Sequence, residues 1–209
     1  MDMHAFLTIV IVHLLGVASP GPDFAIVVKQ SLSQPRRIVI WTALGVALGI
    51  LVHVTYCLLG IGLIISQSIL LFNTIKLIGA AYLLFIGWKA LISKPSNQNF
   101  QKSEKANRTM SVAKAIRIGF LCNALNPKAT LFFLAVFTQV IDSLTPLYIQ
   151  LFYGLYMTVA TFVWFSIIGT AFTTDFARRY LDAIHSWADR VMGVVLIGLG
   201  LKVAFSARK

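Results

Sequence analysis

The sequence predicts an all-α integral membrane protein with about six transmembrane helices, arranged as two inverted three-helix repeats in which helices 1 and 4 are broken. Hydrophobic residues make up 58% of the 209-residue chain, the mean hydropathy is +0.82 and only 12% of the residues are charged. A soluble domain of this size would not tolerate such a surface. Several apolar runs also reach the length of about 20 residues that a helix needs to cross a bilayer, and prolines interrupt two of them at matching places.

The transmembrane spans are predicted from the apolar runs of the sequence. The runs that we expect to cross the membrane cover residues 6–28, 38–64, 69–92, 113–141, 147–172 and 192–205. The last of them is the shortest. The lipid bilayer is therefore expected to surround most of the chain.

The basic residues lie mostly in three loops. About 13 of the 18 Lys and Arg residues fall in or beside the first, third and fifth loops between these runs, whereas the second and fourth loops carry none. The net charge of +11 is therefore not a patch for nucleic acid, which is not expected as a partner. By the positive-inside rule the three basic loops are cytoplasmic, so both termini are predicted to lie outside.

A polar segment near the middle of the chain, SKPSNQNFQKSEKANRTMS, contains almost no aliphatic residues and cannot fold alone. We therefore divide the chain into a first three-helix repeat at 1–93, a cytoplasmic linker at 94–112 and a second three-helix repeat at 113–209. The segment KLIGAAYLLFIGWKALIS before the linker resembles RVMGVVLIGLGLKVAFS near the end of the chain, which supports an internal repeat. Because each half has an odd number of spans, the second repeat inserts upside down relative to the first, as in many secondary transporters.

An amphipathic helix is predicted near 174–190, in the second repeat. Phe176, Tyr180, Ile184 and Trp187 follow one another at spacings of three or four, with Asp and Arg residues between them. Such a helix lies on the membrane surface, here on the cytoplasmic face. A mobile gate and a continuation of the fifth span fit the same pattern.

Proline-containing motifs break the first and the fourth span. The breaks consist of Ser19-Pro20-Gly21-Pro22 and of Asn126-Pro127. Proline lacks an amide hydrogen and collides with the preceding helical turn, so the freed backbone groups need partners in protein or water at this depth. Paired breaks in inverted repeats are the best sequence indication of a substrate site near the middle of the membrane.

Four polar side chains at these breaks are expected to bind the substrate: Asp23, Asn123, Asn126 and Lys128. Asp23 starts a half-helix, predicted at 23–29, where it either caps the helix or forms a titratable acid in a cavity. Asn123 and Asn126 lie on neighbouring faces of a helix and either bind a substrate ammonium group or hydrogen-bond between helices. Lys128 is an anchor for a substrate carboxylate, a partner of Asp23, or a side chain that extends to cytoplasmic water.

Two histidines and the same acid are candidates for proton coupling. His13 and His53 lie inside the first and second spans, and imidazole titrates in the physiological range. A neutral, hydrogen-bonded packing role is the commoner one for such a residue. With Asp23 they form the set of groups that could bind a coupling proton.

Small residues inside the spans have structural explanations. Cys57 and Cys122 are expected to be small buried hydrophobes. Gly45 and Gly49 form a GxxxG pattern, which lets two helices approach closely. Glycine-lined helices of this kind also leave a homo-oligomer open.

No enzyme motif is present in the sequence. It lacks GxSxG, HExxH, a Walker loop and a dinucleotide-binding fingerprint. Neither CxxC nor a His/Cys metal spacing occurs. We therefore expect no enzymatic activity, no cofactor and no metal, and no ATP-driven transport by this chain alone.

Several motifs together resemble the lysine exporter/homoserine-threonine resistance superfamily, LysE/RhtB. They are Ser19-Pro20-Gly21-Pro22-Asp23-Phe24, Gln34-Pro35-Arg36-Arg37, the stretch from Gly45 to Gly62 and Asn126-Pro127-Lys128. The resemblance covers almost the whole chain, and it implies an amino-acid exporter of the bacterial inner membrane that is driven by an ion gradient. The family's PGP motif corresponds to Pro20, Gly21 and Pro22, and its NP motif corresponds to Asn126 and Pro127.

The function that we expect is export of a small amino acid, neutral and homoserine- or threonine-like or a derivative, from the cytoplasm by proton antiport. In this hypothesis the half-helix N-terminus near Asn126 to Lys128 holds the substrate carboxylate. Asp23 binds either the substrate ammonium group or the coupling proton. Two alternatives remain, a membrane thiol-redox conduit that uses Cys57 and Cys122, and a non-transporting membrane scaffold.

Overall fold

The structure, a computed structural model, describes residues 3–19, 21–67, 109–139 and 145–173, together with isolated positions between 74 and 92 and between 194 and 201. The helices in these segments are α1 (Met3–Ala18), α2 (Pro22–Ser33), α3 (Arg36–Gln67), α4 (Val112–Ala124), α5 (Pro127–Gln139) and α6 (Leu147–Ala171). These segments contain no strand. The predicted all-α class is therefore confirmed for the part of the chain that the structure describes.

Two helices are long and apolar enough to cross a membrane alone. They are residues 36–60 of α3 and the whole of α6, each 25 residues long. The pairs α1–α2 and α4–α5 satisfy the same criterion only when each pair is taken as one span, bent by 53° and 58° respectively. A protein with up to four such spans among its described residues is a multi-pass membrane protein, as predicted.

The two bent pairs are the predicted broken helices. In the first, α2 begins with Pro22 at a position where the missing amide hydrogen costs nothing, and Gly21 precedes it in an extended conformation. In the second, Asn126 precedes Pro127, and its side-chain Oδ1 accepts a hydrogen bond of 2.9 Å from the backbone amide of Lys128. Each break therefore starts a new helix with its own N-terminus. Pro20 lies outside the described residues.

The helices α3 and α4 cross at very short distance because glycines face each other's backbone. A Cβ atom on Gly45 would overlap the carbonyl oxygen of Ile116, and one on Gly119 would overlap that of Thr42. A Cβ atom on Gly49 would lie 2.7 Å from Asn123 Oδ1. The GxxxG pattern thus serves packing within the chain, as predicted, and a homo-oligomer remains a prediction.

Two hydrophobic clusters surround the breaks. One joins α1, α3, α5 and α6 and includes Ile9, Cys57 and Met157. The other joins α2, α3 and α6 and includes Val27 and Phe165. Because α1 belongs to one cluster and α2 to the other, the break between them lies where the two clusters meet.

The outer face of α6 is an apolar stripe. Side chains that are 47% to 60% exposed stand at every fourth position along it: Leu151, Leu155, Val159, Val163 and Ile167. Thr161, on another face of the helix, is 1% exposed. Apolar side chains outside and polar ones inside are the arrangement expected of a helix in lipid.

Several predictions lie outside the described residues, wholly or for the most part. They are the third span at 69–92, the linker at 94–112, the amphipathic helix at 174–190 and the sixth span at 192–205. The division into two three-helix repeats and their inverted orientation therefore stay predictions.

Candidate functional site

The two breaks lie side by side and are bonded to each other. Asp23 Oδ2 accepts hydrogen bonds from Asn123 Nδ2 at 3.0 Å and from Asn126 Nδ2 at 2.9 Å. In the other direction, Lys128 Nζ donates to Ser19 Oγ at 2.7 Å and to the Ser19 carbonyl oxygen at 3.2 Å. The acid of the first break is thus held by amides of the second, and the base of the second by oxygens of the first.

Asp23 occupies the first turn of α2, where the helix dipole favours a negative charge. The residue before α2, Gly21, has no side chain to cap the helix, and the Asp23 carboxylate crosses to the asparagines of the second break. Its interactions therefore extend well beyond the end of its own helix. The predicted half-helix at 23–29 is longer in the structure, from Pro22 to Ser33.

Asn126 has two functions that fix its orientation. Its Oδ1 caps α5 by accepting from the amide of Lys128, and its Nδ2 donates to Asp23. An amide side chain has one acceptor oxygen and one donor nitrogen, so both partners are satisfied in one arrangement only. The cap of the second broken helix and the ligand of the acid are therefore the same side chain.

Lys128 lies in the first turn of α5 and reaches the end of α1. The carbonyl of Ser19 is among those that a helix leaves unpaired at its C-terminus, and the lysine supplies a donor for it. Gly21 makes room for this side chain, since a Cβ atom there would lie 3.3 Å from Lys128 Cδ and Nζ. The ammonium group is thus at the first break.

A cavity of about 50 Å³ lies between the breaks. Since a cavity needs about 10 to 15 Å³ of such space per water molecule, this one has room for about three to five water molecules. Its polar lining comes from Ser19, Asp23, Asn123, Asn126 and Lys128, joined by His13 and Thr161, and much of the remaining lining is aromatic: Phe24, Phe132, Phe133 and Phe165. The cavity combines one charged end with an apolar wall, as small-molecule sites commonly do.

Two oxygens at the charged end lack a strong donor. The Cys122 thiol contacts the Asp23 carboxylate and the His53 ring lies near the Asn123 side chain, but Asp23 Oδ1 and Asn123 Oδ1 are buried without a well-formed N–H or O–H donor among the described residues. Buried acceptors usually have such a donor in folded proteins. A group with several N–H donors, such as an ammonium group, would satisfy both.

His53 is joined to this site through Asn123. The ring is fully buried, its Nε2 lies 3.0 Å from the Asn123 carbonyl oxygen and its Nδ1 lies 2.9 Å from the Tyr56 hydroxyl. The Tyr56 hydroxyl donates to the carbonyl of Thr130 at 3.2 Å. Because a carbonyl oxygen can only accept, His53 Nε2 carries a proton. The histidine thus contacts the backbone of a residue whose side chain holds Asp23.

His13 contacts a different polar side chain. Its Nε2 lies 3.1 Å from Thr161 Oγ1, while Nδ1 is buried with no partner among the described residues. Unlike His53, His13 lines the cavity. Neither Thr161 nor Tyr56 is a site residue in the sequence prediction, because threonine and tyrosine are ordinary in transmembrane helices and their partners are remote in sequence.

The two cysteines are both free. Cys57 is buried in the cluster that joins α1, α3, α5 and α6, and Cys122 lies on α4 near Asp23. The expectation of a small buried hydrophobe is confirmed for Cys57, whereas Cys122 is only half-buried.

Membrane-crossing helices, two of them broken, with the breaks meeting at a polar cavity, are the features of a multi-pass membrane transporter. Residues 14–207 match the LysE type translocator family, and the chain belongs to this family. The resemblance predicted from the motifs at the two breaks is thereby confirmed. A translocator family also agrees with the expectation that the protein is not an enzyme.

Relatives match over nearly their whole length. The chain is 28% identical to a threonine efflux protein of Salmonella typhimurium, over 98% of this chain and 99% of the relative. It is 27% identical to a threonine efflux protein of Escherichia coli K12, over 96% and 98%. An uncharacterized membrane protein of Haemophilus influenzae is 28% identical over 96% of both chains. No solved structure matches the chain.

Proposed function

We propose that this protein is a secondary transporter that exports a small neutral amino acid, of the threonine or homoserine type or a derivative, from the bacterial cytoplasm in exchange for protons. The family and the relatives named threonine efflux proteins support the substrate class. The observation that carries the proposal is a buried carboxylate oxygen of Asp23, in a cavity between two broken helices, that has no N–H or O–H donor among the described residues. Asp23 is also the only acidic residue within the six predicted spans.

Both charged groups of an amino acid have a partner in this proposal. The ammonium group binds Asp23 Oδ1 and Asn123 Oδ1, two acceptors of the cavity lining that have no N–H or O–H donor among the described residues. The carboxylate binds the ammonium group of Lys128, either displacing Ser19 or sharing the lysine with it. The two sites belong to different broken helices, so a bound amino acid connects the two breaks.

Proton coupling in this proposal depends on Asp23. Protonation removes the negative charge and converts an acceptor into a donor, which weakens the hold on an ammonium group. Proton entry would therefore promote release of the amino acid. His53 is the second candidate for the coupling proton, since its ring contacts Asn123, which holds Asp23. His13 remains the third candidate.

The membrane arrangement is part of the proposal. We place the protein in the inner membrane, with the basic loops in the cytoplasm, both termini outside and two inverted repeats. The similar bends of 53° and 58° in the two broken spans support the repeat. A proline at the start of each second half-helix supports it as well.

The two alternatives have weaker support. A thiol-redox conduit needs two thiols that meet, whereas Cys57 packs in a hydrophobic cluster and Cys122 lies near Asp23. A scaffold that assembles through its glycines would need them on the surface, whereas Gly45, Gly49 and Gly119 pack inside the chain.

Transport by the purified protein in proteoliposomes tests the proposal. We expect a pH gradient to drive the flux of one or more small neutral amino acids from a panel of the twenty standard amino acids, homoserine and simple derivatives of both, and a protonophore to abolish the driven flux. Liposomes without protein are the control. If the protein transports no compound of the panel, the proposal is wrong. Flux that does not depend on the pH gradient would exclude proton antiport.

Replacing Lys128 by methionine should weaken recognition of the substrate carboxylate. A hydrogen bond to a charged group contributes about 1.5 to 3 kcal/mol, so we expect the KM of the amino acid to rise by about 10- to 100-fold. The KM of the amine that corresponds to the decarboxylated amino acid should rise much less. The measurement is the KM of both compounds in proteoliposomes.

The matched control for this variant is Lys114→Met, since Lys114 is an exposed lysine in the first turn of α4. It should leave both KM values unchanged. If Lys128→Met raises the KM of the amino acid and of the amine equally, the lysine only maintains the structure of the breaks.

A further inference from the structure

The cavity has a second polar end formed by His13 of α1 and Thr161 of α6. These side chains are 0% and 1% exposed, respectively, and their contact of 3.1 Å joins helices on two sides of the cavity. Both lie among apolar surroundings, with the rings of Phe132 and Tyr156 next to the imidazole. A polar pair in this position differs from the charged groups at the breaks, because a neutral imidazole and a hydroxyl group offer hydrogen bonds without a net charge.

The pair has one unused hydrogen-bonding position. The hydroxyl group of Thr161 contacts Nε2 of the His13 imidazole, whereas Nδ1 is buried with no partner among the described residues. A neutral imidazole has one donor and one acceptor nitrogen, and a threonine hydroxyl can match either. Nδ1 of His13 can therefore donate or accept, depending on the tautomer. A hydroxyl group is the small ligand group that fits both cases.

We propose that His13 and Thr161 form the subsite for the substrate's side chain and select an amino acid that carries a hydroxyl group. This inference rests on the proposed function. His13 binds the hydroxyl group through Nδ1, and Thr161 is the positioning residue that orients the imidazole. Asp23 and Asn123 bind the ammonium group at the other end of the same cavity.

The small size of the cavity favours a short side chain. His13 stands six residues before Ser19, which is about 9 Å of backbone rise along a helix, and both residues line the same cavity. A cavity of about 50 Å³ leaves little room for a long side chain.

The selectivity follows from the unpartnered nitrogen. An aliphatic side chain of the same shape would leave Nδ1 buried and unpaired, which costs about 1 to 3 kcal/mol. A site built to hydrogen-bond a hydroxyl group thus rejects the analogue that lacks it. Threonine and valine are the suitable pair of probes, since they differ by a hydroxyl group in place of a methyl group.

The test is the ratio of kcat/KM for threonine to that for valine in proteoliposomes. We expect a ratio of about 10 to 100 for the natural protein. In His13→Leu the ratio should fall to within about threefold of one. Thr161→Val should lower it by about 3- to 10-fold, because the ring keeps Nδ1 but loses its fixed orientation.

Thr158→Val is the matched control on the same helix. The hydroxyl of Thr158 bonds to the carbonyl of Gly154 within α6, and the residue does not line the cavity. The ratio should not change in this variant. If His13→Leu is inactive, the equilibrium Kd of threonine and valine for the detergent-solubilised natural protein replaces the flux ratio.

The outcomes separate this inference from the proposed function. If the natural protein transports or binds threonine and valine equally well, the inference of a hydroxyl-selective subsite is wrong, but the proposed function is unaffected. An unchanged ratio in His13→Leu leads to the same conclusion. A natural protein that moves no amino acid at all overturns the proposed function, and the subsite fails with it.

Discussion

Asp23→Asn is expected to reduce proton-driven amino-acid flux by at least about 100-fold. The substitution keeps the shape of the side chain but removes its charge and its titration. One of its two polar atoms also becomes a donor, facing either the amides of Asn123 and Asn126 or the substrate's ammonium group. Losing one charge-assisted contact and creating one donor-donor conflict together cost about 3 kcal/mol or more. Initial rates under an imposed pH gradient measure this loss.

A control for this variant removes an acid elsewhere. Asp142→Asn changes an acidic residue of the predicted fourth loop, outside the spans, and should transport at the natural rate. Thermal unfolding in detergent shows whether Asp23→Asn is folded. A folded Asp23→Asn protein with coupled flux like the natural one would rule out the acid as the coupling group.

Alanine at Gly45 or Gly119 is expected to destabilise the fold by about 3 kcal/mol or more. In each case the added Cβ atom meets a backbone carbonyl of the neighbouring helix, and a backbone atom cannot move aside by changing a rotamer. The helices α3 and α4 would have to separate along their whole contact. The yield of monodisperse protein and its unfolding temperature in detergent measure the effect.

Gly60→Ala provides the comparison within the same helix as Gly45. A Cβ atom on Gly60 would find no atom within 4 Å, so the variant gains helix propensity of up to about 1 kcal/mol without a clash. It should unfold at or slightly above the natural temperature. Equal unfolding temperatures for Gly45→Ala and Gly60→Ala would contradict the tight crossing.

The broken spans were predictable because their cause is local. A proline inside an apolar run interrupts a helix whatever surrounds it, and both interruptions are present. The length of α2 was harder to predict. The apolar run fades at Lys29, but Gln30 and Ser31 are buried and the helix continues to Ser33, just before Pro35. A residue that precedes proline is disfavoured in a helix, which explains this end better than hydropathy does.

The site was predictable as a set of residues and less so as a geometry. The four polar residues of the breaks are together in the structure, because paired breaks must satisfy each other's free groups. Which group meets which depends on contacts between residues about a hundred positions apart, such as Asp23 with Asn126. The contact between His13 and Thr161 spans 148 positions. No local pattern encodes such a distance, and threonine in a membrane helix usually bonds to its own backbone.

The bonds across the two breaks have a physiological consequence. Lys128 donates hydrogen bonds to Ser19, so in the proposed mechanism a substrate carboxylate that displaces Ser19 competes with the protein's own oxygens. Competition of this kind lowers the apparent affinity by the fraction of molecules in which the lysine is released. An exporter with weak affinity is idle at ordinary cytoplasmic concentrations and works when its substrate accumulates. In the proposed exporter, the hydrogen bonds between Lys128 and Ser19 would thus raise the substrate concentration that export requires.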